Sequence, residues 1–413
     1  MVKKLFPKAR ALQRIYEGPL GPYMDMFVTH LHENGFARPS IRDRIGMVAR
    51  LSGWLERRKL GIGDLNEKRV DEFILGRKRS GRLCHGERPT LYRLLGQLRF
   101  IGAVRGPEPK MVMEGPLSKI ERAFQKYLEE DRGLGRKTIV RYLPFVHRFL
   151  SECFRQIPVD LSKLRPNDIT GFVLRHARDH SPQNAKQMVA ALRGFLRSLR
   201  MHGEISTELA SCVPPVADGR LAGVPKYLEQ EQIKRILAAC DRRTPCGRRD
   251  YAILLLLARL GLRAGEVTVL ALEDIDWKAG ELTIRGKGAR ESRLPLPNDV
   301  GEALVAYLKK GRPRCTSRRL FIRSYAPFTG LTNQLAVSAI VRRAFLRAGI
   351  QNPHKGAHVL RHSLATQMLK KGASLREIGA ILRHQDPDTT AIYAKVDLAS
   401  LREVARSWPG SKS

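Results

Sequence analysis

The stretch "HVLRHSLATQMLKKG" at 358–372 carries two residue types that do chemistry together. Leu360, Leu364 and Met368 recur every four residues and predict a helix. On the neighbouring sector His358 and Arg361 stand three apart, so an imidazole and a guanidinium point at one spot. Imidazole moves protons near neutral pH, and guanidinium is a permanent cation able to bind two oxygens at once. The pair suits a reaction that shifts a proton while holding an oxyanion such as a phosphate.

Other frames hold residues of the same character. "ARLGLRAGEVTVL" (258–270) places Arg263 just after an apolar run, at a Gly-flanked turn, with Glu266 three residues later. "RGKGAR" (285–290) holds Lys287 at a hairpin tip, and "LRHQDPDTTAIYAKV" (382–396) contains His384 and, nine residues on, Tyr393. Each has a plain explanation taken singly: a solvated arginine, a solvating hairpin lysine, a packed tyrosine ring, a first-turn glutamate favoured by the helix dipole. A metal site is a poor reading. His354, His358 and His362 are spaced by four, but Val359 stands where a zinc peptidase needs its glutamate, and Pro353 and Gly356 break the helix before His358.

The elements that must position these groups belong to a chain of 413 residues, long enough for two or three domains. Lys plus Arg number 75 against 40 Asp plus Glu, a formal charge of +35. The excess is spread among apolar periodicities rather than gathered in a tail. That points to folded surfaces for a polyanion, nucleic acid ahead of anionic membrane. The start "MVKKLFPKARAL" has no apolar core of signal-peptide length. The apolar run "YAILLLLARLGL" at 251–262 is too short to span a bilayer and reads as a buried helix. Six scattered cysteines without a Cys-x-x-Cys pair fit a reduced, cytoplasmic protein without structural zinc.

Breaker-rich stretches at 106–116 and 212–226 divide the chain. The expected parts are a helical domain at 1–105, a helical domain at 117–210, a linker at 211–226 and a mixed domain at 227–413. The first two parts look like copies. "FVTHLHENGFARPSIRDRIGMVARLSGWL" (27–55) parallels "FQKYLEEDRGLGRKTIVRYLPFVHRFL" (124–150), with Ser40 and Thr138 expected as helix caps. Val70 matches Ile169 and Phe73 matches Phe172. In the third part "ELTIRGKGARESRLPLP" alternates, with Leu282 and Ile284 facing one way and Thr283 and Arg285 the other, which predicts a small antiparallel sheet. The fold class expected is mainly α with that small sheet in the C-terminal domain (α+β).

Taken together, the order Arg, Lys, His-x-x-Arg, His, Tyr and the frames "GLRAGEV", "HVLRHSLAT" and "LRHQDPDTTAIY" resemble the tyrosine recombinase (phage integrase) family, of the mobile-element type. The resemblance covers the third part fully and extends to the middle part, which looks like the family's core-binding domain. It does not obviously reach 1–105. One departure is Arg383, where family members usually have glycine before the second histidine. The resemblance implies a catalytic domain behind helical, SAM-like DNA-binding domains, together forming a clamp on duplex DNA. It implies that Arg263, Arg361 and His384 hold the scissile phosphate, that Tyr393 is the nucleophile, that His358 takes its proton, and that Lys287 protonates the leaving oxygen. Glu266 then orients Arg263, His362 packs nearby or supports one of these groups, and Arg383 adds a phosphate contact or alters the turn. No cofactor or metal is implied. The expected assembly is a homotetramer on DNA, alone or with sister recombinases, and no membrane is involved. The tail "KVDLASLREVARSWPG" (395–410) reads as an amphipathic helix whose apolar stripe must bury, against its own domain or, as the resemblance implies, against a neighbouring subunit. Two other readings are a type IB topoisomerase, and a DNA-binding regulator that keeps the fold without recombining.

Overall fold

The protein was analysed as a computed structural model that describes residues 2–84, 86–106, 115–154, 159–216, 227–286, 291–351, 356–384, 386 and 388–396. Lys287, His354 and the tail beyond 396 lie outside the described residues. The chain divides into two compact units, Met1–Pro107 joined with Val224–Ser413, and Glu108–Gly223.

The first unit begins with short helices α1 (Val2–Leu5) and α2 (Ala9–Tyr16), followed by α3 (Met24–Glu33), α4 (Arg38–Arg57), α5 (Glu67–Arg79) and α6 (Glu87–Phe100). Their apolar faces meet in a core that includes Phe27, Leu31, Val48, Leu51, Val70 and Leu94. Asn66 caps α5 by accepting the Arg69 amide at 3.0 Å, which satisfies one of the donors a helix start leaves open.

The second unit holds α7 (Pro116–Lys126), α8 (Arg136–Cys153), α9 (Pro166–Ala177) and α10 (Pro182–Met201). They surround a core rich in phenylalanine, with Phe149 edge-on to Phe172 at 5.3 Å between ring centroids. The helix order of the two sets is alike. Val70 and Ile169 are both buried, as are Phe73 and Phe172. The expected caps are not where the sequence suggests. Ser40 and Thr138 stand inside the first turns of α4 and α8, and the cap positions are Ala37 and Gly135. Pro39 explains the first case: it lacks an amide hydrogen and has the helical φ, so it opens a helix where no partner is needed.

The remainder of the first unit carries α11 (Gln230–Ala238), α12 (Pro245–Arg259), α13 (Ala264–Val269), strands β1 (Ile275–Asp276), β2 (Glu281–Arg285) and β3 (Glu291–Pro295), then α14 (Asn298–Lys310), α15 (Gln334–Arg347), α16 (His358–Lys370), α17 (Leu375–Leu382), α18 (Asp388–Ala391) and a 3₁₀ segment (Ile392–Val396). The apolar run becomes α12, in which residues 252–258 are all buried. The strands form an antiparallel sheet in the order β1-β2-β3, with Leu282 opposite Leu294 and Ile284 opposite Ser292. Leu282 and Ile284 face the core, as the alternation predicts.

Helix α16 differs from the single stripe expected of it. Besides Leu360, it buries Val359, Arg361, Ser363, Ala365 and Thr366, because α12, α17 and the 3₁₀ segment surround it. The Ser363 hydroxyl accepts the Leu228 amide at 2.8 Å and donates to the Val359 carbonyl, which fastens the start of this region to the site helix. The two ends of this unit also meet. The Phe328 amide donates to the Asn34 carbonyl at 3.1 Å. Gly35, at φ +79°, lies so close to the Phe328 ring that a Cβ there would stand 2.1 Å from it. Both the positive φ and the contact require glycine.

Candidate active site

Arg263 stands at the N-cap of α13, two residues after Gly261, which takes φ +58° against the Leu382 side chain. Glu266, one helical turn on, answers it twice. One carboxylate oxygen accepts the Arg263 amide at 2.8 Å and the other accepts its guanidinium at 2.8 Å. The two readings of Glu266, a first-turn acid and an orienter of arginine, therefore describe one geometry. Burial raises the Glu266 pKa, but the Arg263 amide and the guanidiniums of Arg383 and Arg263 outweigh it and hold the carboxyl below its usual range.

Arg361 is buried within α16, and its guanidinium donates to two backbone carbonyls, Gly261 and Leu382. It thereby ties the turn before Arg263 to the end of α17. Burial, then the nearby Arg263 and Arg383, push its pKa down to about 10, which leaves it cationic at neutral pH. Arg383 ends α17, and its Nη2 meets Glu266 Oε2 at 2.9 Å. Among the described residues two guanidiniums, those of Arg263 and Arg383, thus bond one carboxylate at this site, and that of Arg361 lies near enough to feel its charge. The surplus of positive charge is held in place before any anion arrives, the arrangement that favours a transition state concentrating negative charge on oxygens.

His384 follows Arg383, with Nδ1 at 2.7 Å from the buried Thr390 hydroxyl. When that hydroxyl donates, the ring proton resides on Nε2, which is then a donor. Burial and then the charges of Arg361 and Arg263 bring the His384 pKa down to about 4, so the ring is neutral at pH 7. Thr390 was invisible as a site residue in the sequence: it is six positions away across a turn, with no periodic relation to His384.

Tyr393 lies in the 3₁₀ segment, 1% exposed, against Ala365, Ile378 and Leu382. Its hydroxyl is 2.8 Å from Nδ1 of His362. The His358 ring is the next along α16, its centroid 6.5 Å from that of His362. His358 is open to solvent on one side. Crowding of the rest of the ring, then Arg361 and Arg263, lower its pKa. Burial raises the Tyr393 pKa to about 12 against the pull of Arg361, and burial with His358 and Arg361 takes His362 down to about 4. His362, expected from sequence to pack nearby or to support a catalytic group rather than to act itself, is the ring that contacts the hydroxyl.

Arg263, Glu266, Arg361, Arg383, His384 and Tyr393 thus converge from four separate elements, with His358 at the start of α16. Lys287, expected from sequence at a hairpin tip, lies outside the described residues. No described helix is long and apolar enough to cross a membrane, and no described group of three or more His, Cys, Asp or Glu is placed to hold a metal.

A profile of the phage integrase family matches residues 226–399. The chain is 42% identical over 403 residues to the putative integrase/recombinase y4rA of Sinorhizobium fredii (strain NBRC 101917 / NGR234), covering 97% of each chain. It is 31% identical over 291 residues to the tyrosine recombinase XerD of Listeria monocytogenes (serovar 1/2a), covering 69% of this chain and 96% of that protein. Among solved structures, the XerH site-specific recombinase bound to a palindromic difH substrate matches with a TM-score of 0.57 at 21% identity, over 82% of this chain and 94% of that one. A lambda integrase dimer bound to a core site (residues 75–356) matches with a TM-score of 0.52 at 19% identity, over 71% of this chain and 98% of that one; both structures show a shared fold. The similarity to y4rA runs through the N-terminal helices as well as the site, and the chain belongs to the phage integrase, or tyrosine recombinase, family.

Proposed function

We propose that the protein is a site-specific recombinase that breaks and rejoins duplex DNA through a 3′-phosphotyrosyl bond on Tyr393, in the service of a transposon or other mobile element. The observation that carries this reading is the surplus of guanidinium charge around Glu266 in the same cluster as a tyrosine hydroxyl. Arg263, Arg361 and Nε2 of His384 hold the non-bridging oxygens of the scissile phosphate. The Tyr393 oxygen attacks phosphorus, and the bond to the 5′-oxygen breaks. The phenolic proton passes to His358, and Lys287 supplies a proton to the departing 5′-hydroxyl. Phosphodiester energy is kept in the new bond, so the step runs without a nucleotide cofactor. Tyr393 first leaves its buried position beside His362, because a hydroxyl so enclosed cannot reach a duplex. The helical regions 1–105 and 117–210 supply further DNA contacts, and the working assembly in the cytoplasm is a tetramer on two DNA sites.

The reading is tested with a suicide duplex that traps the covalent adduct. Tyr393→Phe is expected to bind DNA and form no adduct. An adduct persisting in that variant would move the nucleophile elsewhere, with the exposed Tyr325 the next residue to replace. Adduct formation excludes a binding-only regulator, and strand exchange between two duplexes separates a recombinase from a type IB topoisomerase.

A further inference from the structure

Residue 383 holds a left-handed conformation, φ +56°, at the end of α17. Glycine enters that region freely, whereas an L side chain is strained there by about 1–2 kcal/mol. An arginine at this point calls for a compensating contact, and it has one. Its Nη2 donates to Glu266 Oε2 at 2.9 Å, and the two side chains are nearly enclosed, 12% and 6% exposed. Its Nη1 turns back to the Ile381 carbonyl at 3.3 Å, so the fork faces inward. The other end of the same carboxylate holds Arg263. Arg263 in turn donates Nη2 to the Arg383 carbonyl at 3.4 Å. Two loops 120 residues apart are thus closed into a ring of hydrogen bonds: Arg383 to Glu266, Glu266 to Arg263, Arg263 back to residue 383.

We propose that Arg383 is a positioning residue for strand cleavage, acting through Glu266 to set the Arg263 guanidinium. The inference rests on the reading of Arg263 as a ligand of the scissile phosphate. A carboxylate accepts from several donors at once, and here Arg383 takes part of it. The Arg263 side chain is 40% exposed and keeps donor capacity for an incoming anion. With Arg383 removed, a buried carboxylate is left to Arg263 alone. Such a carboxylate draws in both prongs of the guanidinium, because an undercompensated buried charge is costly. Arg263 then loses its reach toward the phosphate while the DNA-binding surface is unchanged.

The test is single-turnover cleavage of a suicide duplex by the full-length protein, with DNA affinity measured separately. The variants are Arg383→Gly, Arg383→Lys, Glu266→Gln, the Arg383→Gly/Glu266→Gln double and Arg263→Ala. Arg383→Gly is expected to cleave roughly 10-fold to 100-fold more slowly, in the range a misplaced catalytic group costs, with affinity unchanged. Arg383→Lys, which keeps both the charge and the left-handed strain, recovers part of the rate. In the Glu266→Gln background the same glycine substitution has little effect, as expected for coupled residues. Full-rate cleavage by Arg383→Gly overturns the inference, and so does an equal loss in both backgrounds. A drop in affinity with the salt slope reduced by about one makes Arg383 a phosphate ligand instead. If Arg263→Ala cleaves at full rate, the reading of the site fails. If Arg263→Ala is inactive while Arg383→Gly is not slowed, this inference alone fails.

Discussion

His362 Nδ1 lies 2.8 Å from the hydroxyl of Tyr393, and the tyrosine is 1% exposed. The bond joins the middle of α16 to the 3₁₀ segment carrying Tyr393, 31 residues later. Without it a hydroxyl would be buried with one partner fewer, so the ring acts as a holder for Tyr393 in the DNA-free protein.

That relationship predicts a stability cycle. His362→Ala leaves the Tyr393 hydroxyl unsatisfied and is expected to cost about 1–3 kcal/mol, besides the packing lost. Tyr393→Phe leaves the imidazole nitrogen without its partner. In the double variant neither group remains, so the two losses sum to less than additive, by about 0.5–3 kcal/mol. Urea unfolding of the four proteins measures it, and strict additivity refutes the bond.

The same histidines set a pH dependence. The pKa values of His362 and His384 fall from 6.5 to about 4 on folding. Between those values the unfolded chain binds protons that the folded chain refuses, so stability rises with pH across the window and falls on acidification from about pH 6.5 toward pH 4. The thermal midpoint is expected to drop on going from pH 7.5 to pH 5. His362→Gln and His384→Gln should flatten that drop. A variant curve parallel to the parent's across the window places the loss on other groups.

Arg361 and Arg263 should respond differently to lysine. The Arg361 fork serves the Gly261 and Leu382 carbonyls from within the core. A lysine ammonium cannot span both in that geometry. Arg361→Lys is therefore expected to lose about 1–3 kcal/mol of stability together with cleavage. Arg263→Lys keeps an ion pair at a part-exposed position, so its stability should stay within about 1 kcal/mol while cleavage falls. Paired denaturation and cleavage measurements decide the contrast, and equal stability losses would contradict it.

An excess of cationic side chains implies phosphate contacts that release counterions. DNA affinity of the Tyr393→Phe protein should fall by about 10³–10⁵ between roughly 0.05 and 0.2 M salt if about 6–10 phosphates are contacted. Fluorescence anisotropy titrations read the slope, and a value near zero removes the clamp from the proposed function.

Relations within one turn of helix or one strand were legible along the chain. Arg263 and Glu266 are one turn apart, His358 and Arg361 likewise, and the alternation of Leu282 with Ile284 predicted the buried face of β2. Local backbone geometry sets such distances, so spacing alone suffices. The order of the chemical residues was equally readable, and with it the family. Capping was read less well: Ser40 and Thr138 had the right side chains, but Pro39 and Gly135 set where the helices begin. What spacing could not reach were the contacts between distant positions. Arg383 meets Glu266 across 117 residues, Arg361 fastens the Gly261 turn across 100, and Gly35 makes room for Phe328. His362 was read as packing or as supporting a catalytic group, without a partner, because nothing in α16 shows which ring the 3₁₀ segment will bring against it. Those pairings depend on how separately formed helices bury their faces against one another, and many arrangements share the same local pattern. Tertiary packing selects one, and with it the ring through which Arg383, Glu266 and Arg263 are joined.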